Sequence, residues 1–232
     1  TGGSGNDTLD GGSGRDTMTG GTGNDTYVVT SSSDVVVEAA GGGRDTVLAQ
    51  ASFDLGGLAQ VENVTLIGTA NATAVGNAAA NVLTANAGRN VLIGEGGADT
   101  LSVGGDKACD VIAFDDASQS TGAVHDLVTG FDAAGEDLLF FADAPVGQLR
   151  FSGAARLDAG SLDADVAAEV NAFLTRGGAI QAVLFTPNAG DLAGTGEYLV
   201  VDADNDGSYH AGEDYLVQLT GRTGNFDLGD FL

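Results

Sequence analysis

Three aspartates stand nine residues apart, Asp7, Asp16 and Asp25, and each closes the same glycine-rich phrase. The phrases are Gly2-Gly3-Ser4-Gly5-Asn6-Asp7, Gly11-Gly12-Ser13-Gly14-Arg15-Asp16 and Gly20-Gly21-Thr22-Gly23-Asn24-Asp25. The chemistry open to such a phrase is the gathering of oxygen. Glycine admits positive φ and close backbone approach, so a tight turn can aim its carbonyl oxygens at one point. The aspartate adds a charged oxygen at the end of the turn. A hard cation that takes roughly six to eight oxygen ligands, as calcium does, suits this donor set. The glycines, Ser4, Ser13, Thr22 and the three aspartates of these phrases are therefore metal-ligand candidates.

The elements that must position them are short strands. Each aspartate is followed by Thr and a large apolar residue (Leu9, Met18, Tyr27), so one inward-pointing side chain recurs every nine residues. The period outlasts the glycines. Asp34-Val35-Val36 falls on register, an eleven-residue step reaches Asp45-Thr46-Val47, and the ruler then passes Asp54, Asn63, Ala72, Asn81, Asn90 and Asp99. Leu83, Leu92 and Leu101 repeat the apolar member, and a second eleven-residue step lands on Asp110-Val111-Ile112. This pattern predicts a solenoid of about twelve units over residues 1–114. A flexible glycine-rich linker would place no apolar residue at every ninth position. The turns before Asp45 (Gly41, Gly42, Gly43) and Asp99 (Gly94, Gly96, Gly97) keep the cation-binding equipment. The turn before Asp34 lacks glycine, although Asp34 itself remains a ligand candidate. The units at Asn63, Ala72, Asn81 and Asn90 have lost the carboxylate, and asparagine can cap a turn by side-chain hydrogen bonds, so these read as metal-free rungs.

The phrase is the G-G-x-G-x-D-x-U-x nonapeptide, and the chain resembles the RTX (repeats-in-toxin) family of secreted bacterial proteins. The resemblance implies a calcium-loaded parallel β-roll in which two nonapeptides make one turn. It also implies ions lying between turns on the same side, so that Asp7 shares ions with Asp25, and Asp16 faces Asp34. Val111-Ile112-Ala113-Phe114, Asp126-Leu127-Val128-Thr129-Gly130-Phe131-Asp132 and Gly135-Glu136-Asp137-Leu138-Leu139-Phe140 are similar to the segment that closes the roll of serralysin-type proteases. Here Gly130 replaces an acidic residue and Phe140 stands where aspartate is usual. The terminal Leu228-Gly229-Asp230-Phe231-Leu232 resembles the tail read by type I secretion systems, and also reads as an ordinary final strand.

Residues 115–232 read as a β-rich cap, giving a mainly all-β chain. Phe131, Phe140 and Phe141 are the residues expected to cover the end of the roll. One helix is expected over Leu162 to Thr175, with Ser161 as N-cap and Arg176 and Gly177 at its end. Strands are expected at Ile180–Phe185, Tyr198–Val201 and Tyr215–Leu219. Between the last two, Asp202 to Glu213 fits D-x-[DN]-x-[DN]-G-x5-E. It offers Asp202, Asp204 and Asp206 by carboxylate, Ser208 by carbonyl, His210 through water and Glu213 by both oxygens. The flanks are strands, so the loop is EF-hand-like rather than an EF-hand pair. A plain hairpin turn about Asn205-Asp206-Gly207 fits the same residues.

Thirty-three acidic residues against 8 basic ones give a net charge of −25. That charge argues against nucleic acid and anionic membrane surfaces as partners. The 43% hydrophobic content allows a buried core. No apolar run reaches the ~20 residues of a membrane helix. Cys109 is single, so no disulfide framework exists. No H-E-x-x-H, P-loop or G-x-S-x-G motif is present, and no catalytic residue is assigned.

The function expected from these residues and the resemblance is a non-catalytic calcium-binding module of a type I secreted protein. Its partners would be calcium ions and the secretion machinery, with lateral self-assembly or a cell-surface glycan open to a surface-layer or adhesin role. The alternative is the C-terminal folding and secretion domain of an enzyme, a metalloprotease or lipase. A third reading is a self-contained enzyme with an unrecognised carboxylate site. The chain opens inside a repeat, which predicts an upstream part.

Overall fold

Two stacks of short parallel strands run through the first 141 residues, one on each side of a shared apolar interior. The computed structural model describes residues 1–104, 108–121, 124–133, 137–142, 144, 146–156, 162–171, 174, 179–190 and 192–232. On one face Thr8–Asp10 pairs with Thr26–Val29, which pairs in turn with Thr46–Ala49 and Asn63–Leu66. Val82–Thr84, Thr100–Ser102 and Asp126–Thr129 continue that stack. On the other face Thr17–Thr19 pairs with Val35–Val37. A separate stack there runs from Phe53–Asp54 through Ala72–Val75, Asn90–Ile93 and Val111–Phe114 to Leu138–Phe141.

The register explains the nine-residue apolar ruler. Leu9 lies opposite Tyr27, Tyr27 opposite Val47, and Val47 opposite Val64. Leu83, Leu101 and Val128 continue the same column. Successive strand side chains point to opposite faces, so the three-residue strands bury their middle residue and most four-residue strands bury alternate residues. All of these belong to one core cluster, joined from the other face by Met18, Val36, Ala74, Leu92, Ile112 and Leu139.

Parallel stacking passes the boundary expected at residue 114. Asp126–Thr129 and Leu138–Phe141 are two further rungs, and Asp126–Thr129 then pairs in parallel with Tyr215–Thr220. From there the sheet turns antiparallel through Glu197–Asp202 to Ile180–Ala189, which pairs in parallel with Val146–Arg156. The chain is mostly β, and Leu162–Val170 is the α-helix among the described residues. Its Leu162, Val166 and Val170 pack with Val183, Phe185, Tyr198, Val200 and Leu216 on the far face of the sheet. Ser161, Thr175, Arg176 and Gly177, named in the expectation for this helix, lie outside the described residues. The final residues form a 3₁₀ turn, Leu228–Asp230, capped by the Asp227 side chain, after which Phe231 makes an isolated parallel bridge to Leu139.

Candidate metal centres

The glycine phrases form the turns between the two faces, and their backbone needs glycine at particular places. Gly3, Gly5, Gly21 and Gly23 have φ of +117°, +101°, +116° and +122°. Gly12 and Gly14 in the second phrase, Gly41 and Gly43 before Asp45, and Gly97 before Asp99 are likewise left-handed. Gly2, Gly11, Gly20 and Gly94 serve a different end, since each leaves room for the aspartate of its own phrase. A Cβ on Gly2 would lie 2.5 Å from Asp7 Oδ2 and 2.8 Å from the Gly20 carbonyl oxygen. A Cβ on Gly94 would collide with Asp99 Oδ2. Thus a carboxylate and, at the first turn, a carbonyl from the neighbouring turn converge where the side chain is missing. Ser4, Ser13, Thr22 and Gly96 sit in the same turns and are at most half-buried.

The aspartates stack turn upon turn. The Asp7 N–H donates to Asp25 Oδ1 at 2.8 Å, and the Asp25 N–H donates to Asp45 Oδ1 at 2.7 Å. On the other edge the Asp16 N–H donates to Asp34 Oδ1 at 3.1 Å. Further along, the Asn81 N–H donates to Asp99 Oδ1 and the Asp99 N–H to Asp126 Oδ1, at 2.7 and 2.9 Å. One oxygen of each such carboxylate is therefore clipped to the backbone of the preceding turn. The other oxygen of Asp34 accepts from the Thr30 and Ser31 N–H groups, but Oδ2 of Asp7, Asp16, Asp25, Asp45, Asp99 and Asp126 is buried without a hydrogen-bond partner. Leaving a buried acceptor unsatisfied costs about 1–3 kcal/mol, and more when it is charged. Buried charges in proteins are paired or coordinate metals. The donor set is oxygen only, which fits calcium.

Three acidic residues outside the repeat grammar also take part. The Asp45 N–H donates to Glu62 Oε2 at 2.8 Å, so a carboxylate adjoins the rung of Asn63 after all. Asp126 extends the aspartate column past residue 114. Asp137 does so on the opposite edge, its Oδ1 accepting from the Asp110 N–H at 3.0 Å. The signal available for the last two was the resemblance of their strands to a roll-closing segment.

The loop after Glu197–Asp202 gathers Asp202, Asp204 and Asp214, whose carboxylate oxygens lie within 4.8 Å of one another, and a second group in which carboxylate oxygens of Asp204 and Asp206 and a ring nitrogen of His210 lie equally close. Asp202 and Asp214 are fully buried. Glu213 does not join either group. Its side chain is 66% exposed, and its Oε2 stands 4.0 Å from His210 Nδ1. Asp214, one residue later, occupies the inward position and accepts from the Ala203 and His210 N–H groups at 2.8 and 2.7 Å. Asp202 accepts from the Asp206 and Gly207 N–H groups, and the Ser208 N–H donates to Asp206 Oδ1. The loop is tied to the roll by the Gly212 N–H, which donates to Thr121 Oγ1 at 2.8 Å.

Burial pushes the carboxyl of Asp99 up to about 7 and that of Asp126 up to about 8, against backbone hydrogen bonds that lower both. In the ion-free chain each binds its proton more tightly when folded than when unfolded, where aspartate titrates near ~3.9. Such a group favours the folded state most below the unfolded value, and that contribution is lost as pH rises through the folded value. Thermal melts in chelator are thus expected to show a lower Tm at about pH 8 than at about pH 5. A tenfold difference in proton affinity between the two states is worth ~1.4 kcal/mol, less whatever Asp99 and Asp126 share through their mutual repulsion. Excess calcium should reverse the trend, because the ion binds the deprotonated form. A Tm in chelator that rises between those pH values contradicts the assignment.

Comparison with known families agrees with this geometry. The RTX calcium-binding nonapeptide repeat matches the chain in four copies, over residues 1–36 and 73–107. No curated protein matches the chain. The repeats and the parallel solenoid together fit an RTX β-roll, and the family of the repeat binds calcium.

Proposed function

We propose that this chain is a non-catalytic calcium-binding module of a type I secreted bacterial protein, folding when it meets calcium outside the cell and serving a structural, surface-layer or adhesin-like role. The observation that carries the reading is the set of buried Oδ2 atoms without partners, distributed along both edges of a roll whose glycine turns bring carbonyls beside them. Calcium supplies the positive charge that these stacked carboxylates lack. The ligands would come from the turns ending at Asp7, Asp16, Asp25, Asp34, Asp45 and Asp99. Asp202, Asp204, Asp206 and Asp214 would form a separate site in the cap.

The same arrangement suits export. Without ions the stacked carboxylates repel, and the glycine turns carry a high conformational entropy cost. A chain of this kind stays open where calcium is scarce and closes at the roughly millimolar levels where weak sites fill. The terminal residues are packed in the folded chain: Phe231 lies against Phe141 and Phe226, and the Leu232 N–H donates to the Leu139 carbonyl at 2.9 Å. An export address there is one to be read before folding.

Calorimetric titration with calcium, followed in parallel by circular dichroism, tests the reading. Several ions should bind as β-structure is gained, since binding only the folded state stabilises it by mass action. Absence of binding at millimolar calcium would overturn it.

A further inference from the structure

Glu38 follows the strand Val35–Val37 and opens the eleven-residue step from Asp34 to Asp45. The register of Thr19 with Val37 sets it beside Gly20 on the preceding turn. Gly20 has no side chain, and the space above its Cα is filled from elsewhere. A Cβ there would collide at once with the Tyr27 hydroxyl, Asp25 Oδ2 and Glu38 Oε1. Three oxygens from two segments, Asp25 to Tyr27 and Glu38, therefore converge on one point.

Carboxylate oxygens of Asp25, Glu38 and Asp45 lie within 4.8 Å of one another. Asp25 is 1% exposed and Asp45 fully buried, and Oδ2 of each has no hydrogen-bond partner. Glu38 is held in place: the Tyr27 hydroxyl donates to its Oε1, and the Ala39 N–H donates to its Oε2 at 3.0 Å. Among the described residues no Lys or Arg pairs with any of the three carboxylates. If Glu38 were present only to accept from Tyr27, the tyrosine would be satisfied, but the two buried Oδ2 atoms beside it would remain unneutralised.

We propose that Glu38 is a third carboxylate ligand of a divalent-cation site shared with Asp25 and Asp45, so that this turn binds calcium more tightly than turns furnished by the repeat phrase alone. Affinity in oxygen-ligand sites is tuned by the number of charged ligands, and here the longer unit adds one that the nonapeptide cannot supply. The inference rests on the calcium-binding reading above.

Tyr27 provides a local probe. The chain has no tryptophan, and this phenol is hydrogen-bonded to the proposed ligand, so terbium(III) in the site should emit when tyrosine is excited. Calcium calorimetry and tyrosine-sensitised terbium emission are to be measured on the full chain and on Glu38→Gln, Tyr27→Phe and Asp45→Asn. Glu38→Gln is expected to weaken the tightest calcium step by about tenfold or more, and to cut the share of the emission that Tyr27→Phe removes, the rest coming from the cap loop with its Tyr209 and Tyr215. Its circular dichroism at saturating calcium should match the parent. Tyr27→Phe should keep the tightest step within about threefold, since it removes a hydrogen bond to the ligand and not the ligand. Should Glu38→Gln fail to fold at saturating calcium, Glu38→Asp, which keeps the charge but draws it back, is expected to fold and bind more weakly. If a folded Glu38 variant leaves the tightest step and the emission unchanged while Asp45→Asn removes a site, Glu38 is only the acceptor for Tyr27. The proposal is then overturned with the calcium reading intact. If the parent chain binds no calcium, both fall.

Discussion

Transfer of the calcium-loaded chain into chelator is expected to open residues 1–50 to hydrogen exchange while rungs at 63–66, 82–84 and 90–93 stay protected. The first part has little except ions to hold it. Its strands are two to four residues long, and Gly3–Ser4 with Gly21–Thr22 forms a two-stranded sheet that contributes no buried side chain. Asp7, Asp16, Asp25 and Asp45 each leave a buried oxygen without a partner there. The middle rungs bridge their turns with neutral amides instead. Asn81 Oδ1 accepts from the Asn77 N–H at 2.7 Å, and its Nδ2 donates to the Glu62 carbonyl at 3.2 Å. Asn77 Nδ2 donates to the Leu58 and Val61 carbonyls, and Asn86 Nδ2 to those of Ile67 and Ala70. These amides carry no charge that an ion must neutralise. Ions present at about a hundred times their dissociation constant stabilise the folded state by about 2.7 kcal/mol per site. Protection in residues 1–50 should therefore fall by at least about a hundredfold. Mass-resolved exchange that shows the two regions losing protection equally would contradict this division of labour.

The nine-residue ruler made most of the roll legible, because one period fixes both the turn chemistry and the buried column. Leu83, Leu92 and Leu101 could be assigned to the interior from spacing alone. The stacking of Asp7 on Asp25 and of Asp16 on Asp34 came instead from the family resemblance. Side chains that arrive off register could not be read in this way. Glu38 and Glu62 reach their neighbours from positions the nonapeptide leaves variable, and only the lateral register of the strands shows what they touch. Glu213 matched the loop motif by position, yet the path into the strand Tyr215–Thr220 turns Asp214 inward and leaves Glu213 in solvent. The end of the roll was obscured for a similar reason. Between Val111–Phe114 and Asp126–Thr129 the chain makes a 3₁₀ turn at Ala117–Gln119, and the spacing of the rungs is lost although their stacking continues. The strand Val146–Arg156 has no counterpart among the expected strands, because its composition alternates weakly and its pairing is remote.

Phe141→Ala is expected to destabilise the calcium-loaded chain by about 3–5 kcal/mol, whereas Phe140→Ala should cost well under half of that. Both residues were expected to cover the end of the roll, but they lie on opposite faces of one strand. Phe141 is 2% exposed and Phe140 only partly buried. The Phe141 ring stacks on Phe114 at 5.0 Å between centroids, meets Tyr215 at 4.7 Å and reaches Phe231 at 6.3 Å. It thus joins the last rungs of the roll to the strand Tyr215–Thr220 and to the terminal residues. A solenoid needs such a closure, since its final rung would otherwise expose apolar side chains and unpaired strand groups. In this chain the closure is not a separate lid, because Asp126–Thr129 and Tyr215–Thr220 are neighbours in one sheet. Removing the ring at residue 141 should therefore loosen both halves together. Denaturant unfolding of Phe141→Ala in saturating calcium should remain one transition at a lower midpoint. Two separate transitions, with the roll melting at its parental midpoint, would show that the roll does not depend on this aromatic joint.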